Sequence, residues 1–285
     1  MAIITLSRQA GSLGDEIGMY LARRLGYTFF DRKEIEKRII EKGFPEERFK
    51  MYDERKPSFF ANYAKFRDEY LNYLSMTVLE MAQENNCVIM GRGAFLLLSD
   101  VPNHIALRFV CSSEERIARI KELLHIDDDK LAFKTLLASD KRQAGFYKSY
   151  FRYDIRSAER IQAILNTTRM KVDMIADMIV TGIEKNVTKE VEAAGDARVQ
   201  ELILSQKIAN KLIFEHKLPI DQLWIKIHGK QLILMGIANS AATVERAVTI
   251  INAEYPGYEI DIQTRAVQDF KGNARRLLAD RCLKL

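Results

Sequence analysis

Cysteine is scarce in this sequence. Cys87, Cys111 and Cys282 stand alone, and so odd and scattered a set argues against a disulfide framework and for a reducing compartment. Five prolines and fourteen glycines in 285 residues exclude a collagenous or linker-dominated chain. No apolar run approaches the ~20 residues that span a bilayer. The opening Met1-Ala2-Ile3-Ile4-Thr5-Leu6 has neither the basic start nor the long apolar stretch of a signal peptide. A cytoplasmic location is expected. Charge of one sign does not dominate either: 44 basic against 39 acidic side chains leave +5, so a dedicated nucleic-acid binder is not expected. His104, His125, His216 and His228 share no metal-ligand spacing with cysteine, and Asp127-Asp128-Asp129 lacks the spacing of a calcium loop. No nucleophile signature such as G-x-S-x-G occurs. A metal site built by the protein alone is not expected.

What is present is ample core material, at 47% hydrophobic residues, in a chain long enough for two domains. Short apolar runs at Ile3–Ser7, Tyr27–Asp31, Cys87–Gly91, Ile105–Cys111 and Ala163–Asn166 alternate with helical patterns. That alternation predicts α/β architecture with a five-stranded parallel sheet covered on both faces. Within it, Glu16–Leu25 reads as a helix stopped by Gly26. Phe59–Asn85 is the longest helical pattern, with Phe59, Tyr63, Phe66, Tyr70, Tyr73 and Thr77 forming one stripe. The stripe packs on the sheet or its own neighbours; the other readings are the wall of a base-binding pocket or a homodimer face.

From residue 185 the character changes. Residues 185–196 are polar, contain Gly195, and read as a linker or a frayed helix start. Val199–Phe214 is amphipathic. Leu223–Ile227 and Gln231–Met235 alternate around His228-Gly229-Lys230 as a hairpin. Ser240 caps a helix running to Glu254, and Glu259–Thr264 forms a third strand. The expected domains are therefore 1–184, a linker at 185–196, and a small αββαβ unit within 197–285.

The densest chemical signal is the first strand-to-helix turn, Ser7-Arg8-Gln9-Ala10-Gly11-Ser12-Leu13-Gly14-Asp15-Glu16. Small residues between a buried strand and a helix N-terminus let backbone N–H groups converge on an anion. A P-loop would carry lysine after its last glycine. Here Asp15 stands there, and Arg8 is the nearest candidate substitute. The same segment is otherwise a tight turn whose acidic residues suit the helix dipole. Farther on, Lys141 to Lys171 holds eight basic residues against Asp154 and Glu159, the most basic stretch of the chain.

Residues Ile4–Gly18, Tyr27–Asp31, Cys87–Ala94, Ser112–Arg116, Asp140–Arg142 and Ile164–Thr167, taken in order, resemble the cytidylate-kinase-like branch of the P-loop nucleoside monophosphate kinases. The resemblance covers residues 1 to about 183. It implies a P-loop kinase fold, ATP and Mg²⁺ as cofactors, and phosphoryl transfer to a nucleoside monophosphate, CMP or dCMP being the usual acceptor. It assigns Gly11, Ser12, Leu13, Gly14, Asp15 and Glu16 to the phosphate loop. Asp31, Arg92 and Lys141 go to the acceptor side, and Arg8, Arg142 and Arg152 to catalysis. Read on their own, Arg92 suits a phosphate grip or a structural ion pair, Asp31 suits a helix cap equally well, and the basic run suits a lid or a solvated face. The alternative function is a weak or inactive nucleotide sensor, since the loop lacks its lysine. Residues 197–267 resemble a BON domain through Leu223–Ala238, Ser240, Val244, Ala247, Ile250 and Ile260–Ile262. That likeness implies ligand or membrane-surface contact through this part of the chain. Trp224 is read as core or as a lipid anchor. Arg275, Arg276, Arg281 and Lys284 make a mildly basic tail.

Overall fold

The structure, a computed structural model, describes residues 2–52 and 63–266. Five short strands, β1 (Ile3–Arg8), β2 (Thr28–Phe30), β3 (Cys87–Met90), β4 (His104–Val110) and β5 (Ala163–Asn166), form one parallel sheet in the order β2-β3-β1-β4-β5. This is the α/β architecture expected from the alternation. β1 is buried along its apolar length because it lies mid-sheet with helices over both faces, which is why its sequence shows no polar alternation. With β1 flanked by β3 and β4, the turn after β1 sits where the winding direction reverses, the usual crevice for ligands in such sheets.

One face is covered by α1 (Gly14–Leu25) and α8 (Val172–Asn186), whose Ile17, Leu21, Ile175 and Ile179 meet Ile4, Leu6 and Val88. α1 ends at Gly26, left-handed at φ 69°, as a C-terminal glycine should be. The other face carries α2 (Arg32–Glu41), α3 (Glu46–Tyr52), α4 (Tyr63–Gln83), the short α5 (Ala94–Leu97) and α7 (Asp129–Phe151). α6 (Ser113–Leu124) joins β4 to α7. The described part of the α4 stripe resolves as core: Tyr70 is fully buried, edge-on to Phe44 at 5.8 Å and Tyr150 at 5.4 Å, and Thr77 is buried below it. Tyr73 packs on Phe44 and on Phe214. Phe59 and the basic tail lie outside the described residues, as do the side chains of Tyr63 and Phe66.

The stretch expected as a linker or a frayed helix start is helical. α8 runs to Asn186 and, after a break at Val187-Thr188, α9 (Lys189–Asn210) continues without interruption through Gly195, with Thr188 as its cap. Its middle packs on the large sheet's helices through Val199 and Ile203, and its last turn enters a second core through Ile208 and Ala209. Gly195 permits the approach: a Cβ there would collide with the buried Asn103 side chain. Gly195→Ala is therefore expected to lower stability by roughly 1–3 kcal/mol, read from urea unfolding midpoints; an unchanged midpoint would show that α9 is not clamped at this point. Arg198, also on α9, is buried and binds Asp100 at 2.6 Å, Glu201 at 2.6 Å and the Ile227 carbonyl at 2.8 Å.

After a π-helical turn at Lys211–Glu215, β6 (Ile220–His228) and β7 (Gln231–Ala238) form an antiparallel hairpin. α10 (Ala241–Glu254), capped by Ser240, then crosses to β8 (Glu259–Ala266), which pairs parallel with β7. The αββαβ order matches the sequence reading, and the hairpin is longer than expected at both ends.

His104 marks the base of the large sheet. It is buried, its Nε2 lies 2.7 Å from Thr5 Oγ1, and burial pushes its pKa from 6.5 down to about 4. An unfolded chain binds a proton between those values that the folded one refuses. Stability is thus expected to fall by roughly 3 kcal/mol as pH drops from about 6.5 to 4. His104→Gln should flatten that slope in urea titrations, and an identical slope would clear His104 of the effect.

Candidate functional site

β1 ends at Arg8, and the chain turns through Gln9–Leu13 into α1. Gly11 is left-handed at φ 76°, which glycine adopts freely. Leu13 is also left-handed, at φ 58°, and tolerates it while its side chain packs against the sheet cluster. No side chain caps α1, so its first-turn N–H groups are left for an anion. Gly14 allows the loop to close on itself, because a Cβ there would stand 2.5 Å from the Arg8 Cβ.

The loop is fastened from three sides. Ser12 is buried and its hydroxyl donates to the Gln9 carbonyl at 2.8 Å, bracing the turn from within. From α6, Arg116 Nε donates to the Ala10 carbonyl at 2.7 Å and Arg119 Nη1 to the Gly11 carbonyl at 3.1 Å. From α7, Gln143 Nε2 donates to the Arg8 carbonyl at 2.8 Å. Asp140, one turn earlier on α7, receives both terminal nitrogens of Arg116 at 3.0 and 2.7 Å. The basic helix therefore lies down on the loop, held by one carboxylate and one amide.

Arg8 and Asp15 form a bidentate pair, Nε to Oδ2 at 3.1 Å and Nη2 to Oδ1 at 3.0 Å. The acidic residue in the lysine position thus engages the arginine expected to replace that lysine. Glu16 is exposed on α1. Asp31 caps α2, accepting from the Glu34 N–H at 2.8 Å. Arg92, in the turn Gly91-Arg92-Gly93 after β3, is only 3% exposed and left-handed at φ 52°. It pairs with Glu36 of α2, which also takes Arg32 Nε at 2.6 Å, and its guanidinium lies over the Phe146 ring at 5.3 Å. Gly93 leaves room for Phe151, the last residue of α7.

Lys141 is exposed and Arg142 half-buried, beside Gln143. Arg152 is displaced from this group. α7 is one unbroken helix, so ten residues carry Arg152 about 15 Å along its axis from Arg142. There it lines a cavity of about 120 Å³ with Arg67, Gln206 and the half-buried Trp224. Trp224 is a wall of that cavity.

Glu36, Arg119 and Gln143 hold no role in the sequence motifs, where Arg116 and Asp140 stand only as members of the family-like segments. Arg116 and Arg119 carry a readable signal, being three residues apart on one helix face. Glu36 pairs across 56 residues with Arg92, which no local pattern shows.

The donor set suits nucleotide phosphates: an uncapped helix start, a glycine-bearing loop, and arginines at it from β1 and α6. Among the described residues no group of three or more His, Cys, Asp or Glu could hold a metal ion. Asp15, the carboxylate on the loop, is engaged by Arg8, so Mg²⁺ would come with the nucleotide and be held largely by its oxygens. Among the described residues no helix is long and apolar enough to cross a membrane.

Residues 3–169 match the cytidylate kinase-like family. Among solved structures the chain is similar to an uncharacterized protein from Eubacterium ventriosum ATCC 27560, at 19% identity and a TM-score of 0.53, covering 65% of this chain and 98% of that one. It is also similar to shikimate kinase from Bacteroides thetaiotaomicron (19% identity, TM-score 0.39, 64% and 98% covered) and to a gluconokinase from Sinorhizobium meliloti 1021 (14%, 0.40, 65% and 92%). No curated protein matches the chain. The first of these structural likenesses is one of fold, and it is the family match that points to kinase chemistry.

Proposed function

Because the chain belongs to the cytidylate kinase-like family, we propose that it transfers the γ-phosphoryl group of ATP to the phosphate of a nucleoside monophosphate, with CMP or dCMP as the first acceptors to try. The observation that carries the reading is the loop between Arg8 and Asp15, uncapped toward an anion and gripped by Arg116, Arg119 and Gln143. Phosphoryl transfer asks little covalent chemistry of a protein and mainly needs positioning and positive charge around the moving group. The first turn of α1 would bind donor phosphates through backbone N–H groups. Arg142 on the docked α7 would add charge near them, and Arg92 would orient the acceptor phosphate. Mg²⁺, when bound with the nucleotide, supplies charge neutralisation across the donor oxygens.

Calorimetric titration with ATP·Mg²⁺, with and without CMP, alongside an ADP assay, tests this reading. CMP-dependent ADP release supports it, and binding without turnover for any nucleoside monophosphate rejects it. The Arg8–Asp15 pair favours a second reading, a nucleotide sensor whose loop binds ATP without turnover. The C-terminal αββαβ unit, which resembles a BON domain, would carry that output through a ligand or membrane surface.

A further inference from the structure

Four arginines among the described residues are more than nine-tenths buried: Arg92, Arg108, Arg116 and Arg198. Three of them face carboxylates: Glu36, Asp140, and Asp100 with Glu201. Arg108 differs. It is 6% exposed on β4, and its Nη1 donates to the Ser7 hydroxyl at 3.2 Å. Among the described residues no carboxylate stands within ion-pair distance of it. The two nearby carboxylates that influence it are committed elsewhere, Asp140 to Arg116 at 2.7 Å and Asp154 to Arg156 at 2.8 Å. Burial pushes its guanidinium below the usual arginine range, offset in part by Tyr147, Tyr153 and those two carboxylates. A buried cation without a counter-ion is costly, and folded proteins retain one where something else supplies the negative charge.

The position says what that is. Ser7 and Arg108 are register partners in β1 and β4, one residue before Arg8, at the strand ends that carry the phosphate loop. Ile164, the register partner of Arg108 in β5, shares its sheet face and is 43% exposed, so this face is open on the β5 side. We propose that Arg108, aimed by the Ser7 hydroxyl, is a buried oxyanion subsite that takes a phosphate group at the β1–β4 edge. A guanidinium offers phosphate two parallel N–H donors, which a lysine there would not. This assignment rests on the kinase reading only for the source of the phosphate, a bound nucleotide rather than free phosphate.

Thermal melts with inorganic phosphate, in wild type, Arg108→Met and Ser7→Ala, test it without turnover. Arg108→Met relieves an unpaired buried charge, so in phosphate-free buffer it is expected to melt within about 2 °C of wild type or above it. Its phosphate-dependent rise should drop by at least half, and Ser7→Ala, which keeps the charge, should lose a smaller part. If the phosphate is the acceptor's, Arg108→Met also raises the acceptor KM about tenfold while kcat stays within about threefold. A lost phosphate response with unchanged KM keeps the subsite and assigns it to free phosphate, even if no nucleoside monophosphate is ever a substrate. A variant that melts well below wild type or fails to fold, or one with an undiminished phosphate response, overturns the proposal, since Arg108 would then be structural or idle.

Discussion

Arg92→Ala is expected to cut kcat/KM for the acceptor by about a hundredfold or more, chiefly through KM. The same change should lower stability by roughly 2–3 kcal/mol, because Glu36 loses its buried partner while keeping partial access to water and to Arg32. The two effects have separate controls. Glu36→Gln removes the charge of the pair but leaves the guanidinium under α7. If Arg92 serves only to hold α2, Glu36→Gln should lose as much activity as Arg92→Ala. If Arg92 grips a substrate phosphate, Glu36→Gln should keep most activity and bind the acceptor at least as well, since a competing carboxylate has been neutralised. The backbone favours the second outcome. A left-handed arginine between two left-handed glycines costs on the order of 1 kcal/mol, and strain of this kind gathers where a side chain must be held in one place. The position over the Phe146 ring couples Arg92 to α7, so closure of that helix and engagement of the acceptor would share one contact.

The sheet was legible because its parallel strands are short apolar runs between turns, most plainly β1 and β3, which are buried along nearly all their length. The start of α9 was not. A helix normally betrays itself by an apolar stripe, but the buried face of α9 near its start presents Gly195 and Arg198, one chosen for contact with Asn103 and the other for Asp100 and Glu201. Both look polar or flexible in sequence, and so the first turns of a helix shared by two cores read as a linker or a frayed helix start. Within the site, the loop Gly11–Gly14 could be read from spacing and small residues alone. Its pairings could not. Arg116 needs Asp140, and Arg92 needs Glu36, and the chain shows charges without saying which will meet. Arg152 lies apart from Arg142 because the basic run, which reads as one lid, is distributed by a continuous helix along its length.

Asp15→Asn is expected to tighten ATP binding, and Arg8→Ala to weaken it about tenfold or more. The argument turns on the exposure of the pair. Arg8 and Asp15 side chains retain 30% and 52% of their accessible surface, so their ion pair is worth about 0–1 kcal/mol despite its bidentate geometry. A charge-assisted bond from arginine to a phosphate oxygen in a partly dry loop is worth about 1.5–3 kcal/mol. Donor phosphate therefore outcompetes Asp15 for Arg8, at a loss equal to the pair that is broken. Asparagine removes that loss and the repulsion between a carboxylate and the incoming phosphates, and a gain of up to about fivefold in ATP affinity follows. Arg8→Ala removes the phosphate partner and leaves Asp15 uncompensated on the loop, so both changes oppose binding. The double variant separates the two contributions. If Asp15 acts only by holding Arg8, Asp15→Asn has no effect once Arg8 is alanine. If its own charge repels the nucleotide, part of the gain survives. A weaker ATP affinity in Asp15→Asn at saturating Mg²⁺ would instead make Asp15 a metal-side oxygen donor, and the loop would owe its missing lysine to that exchange.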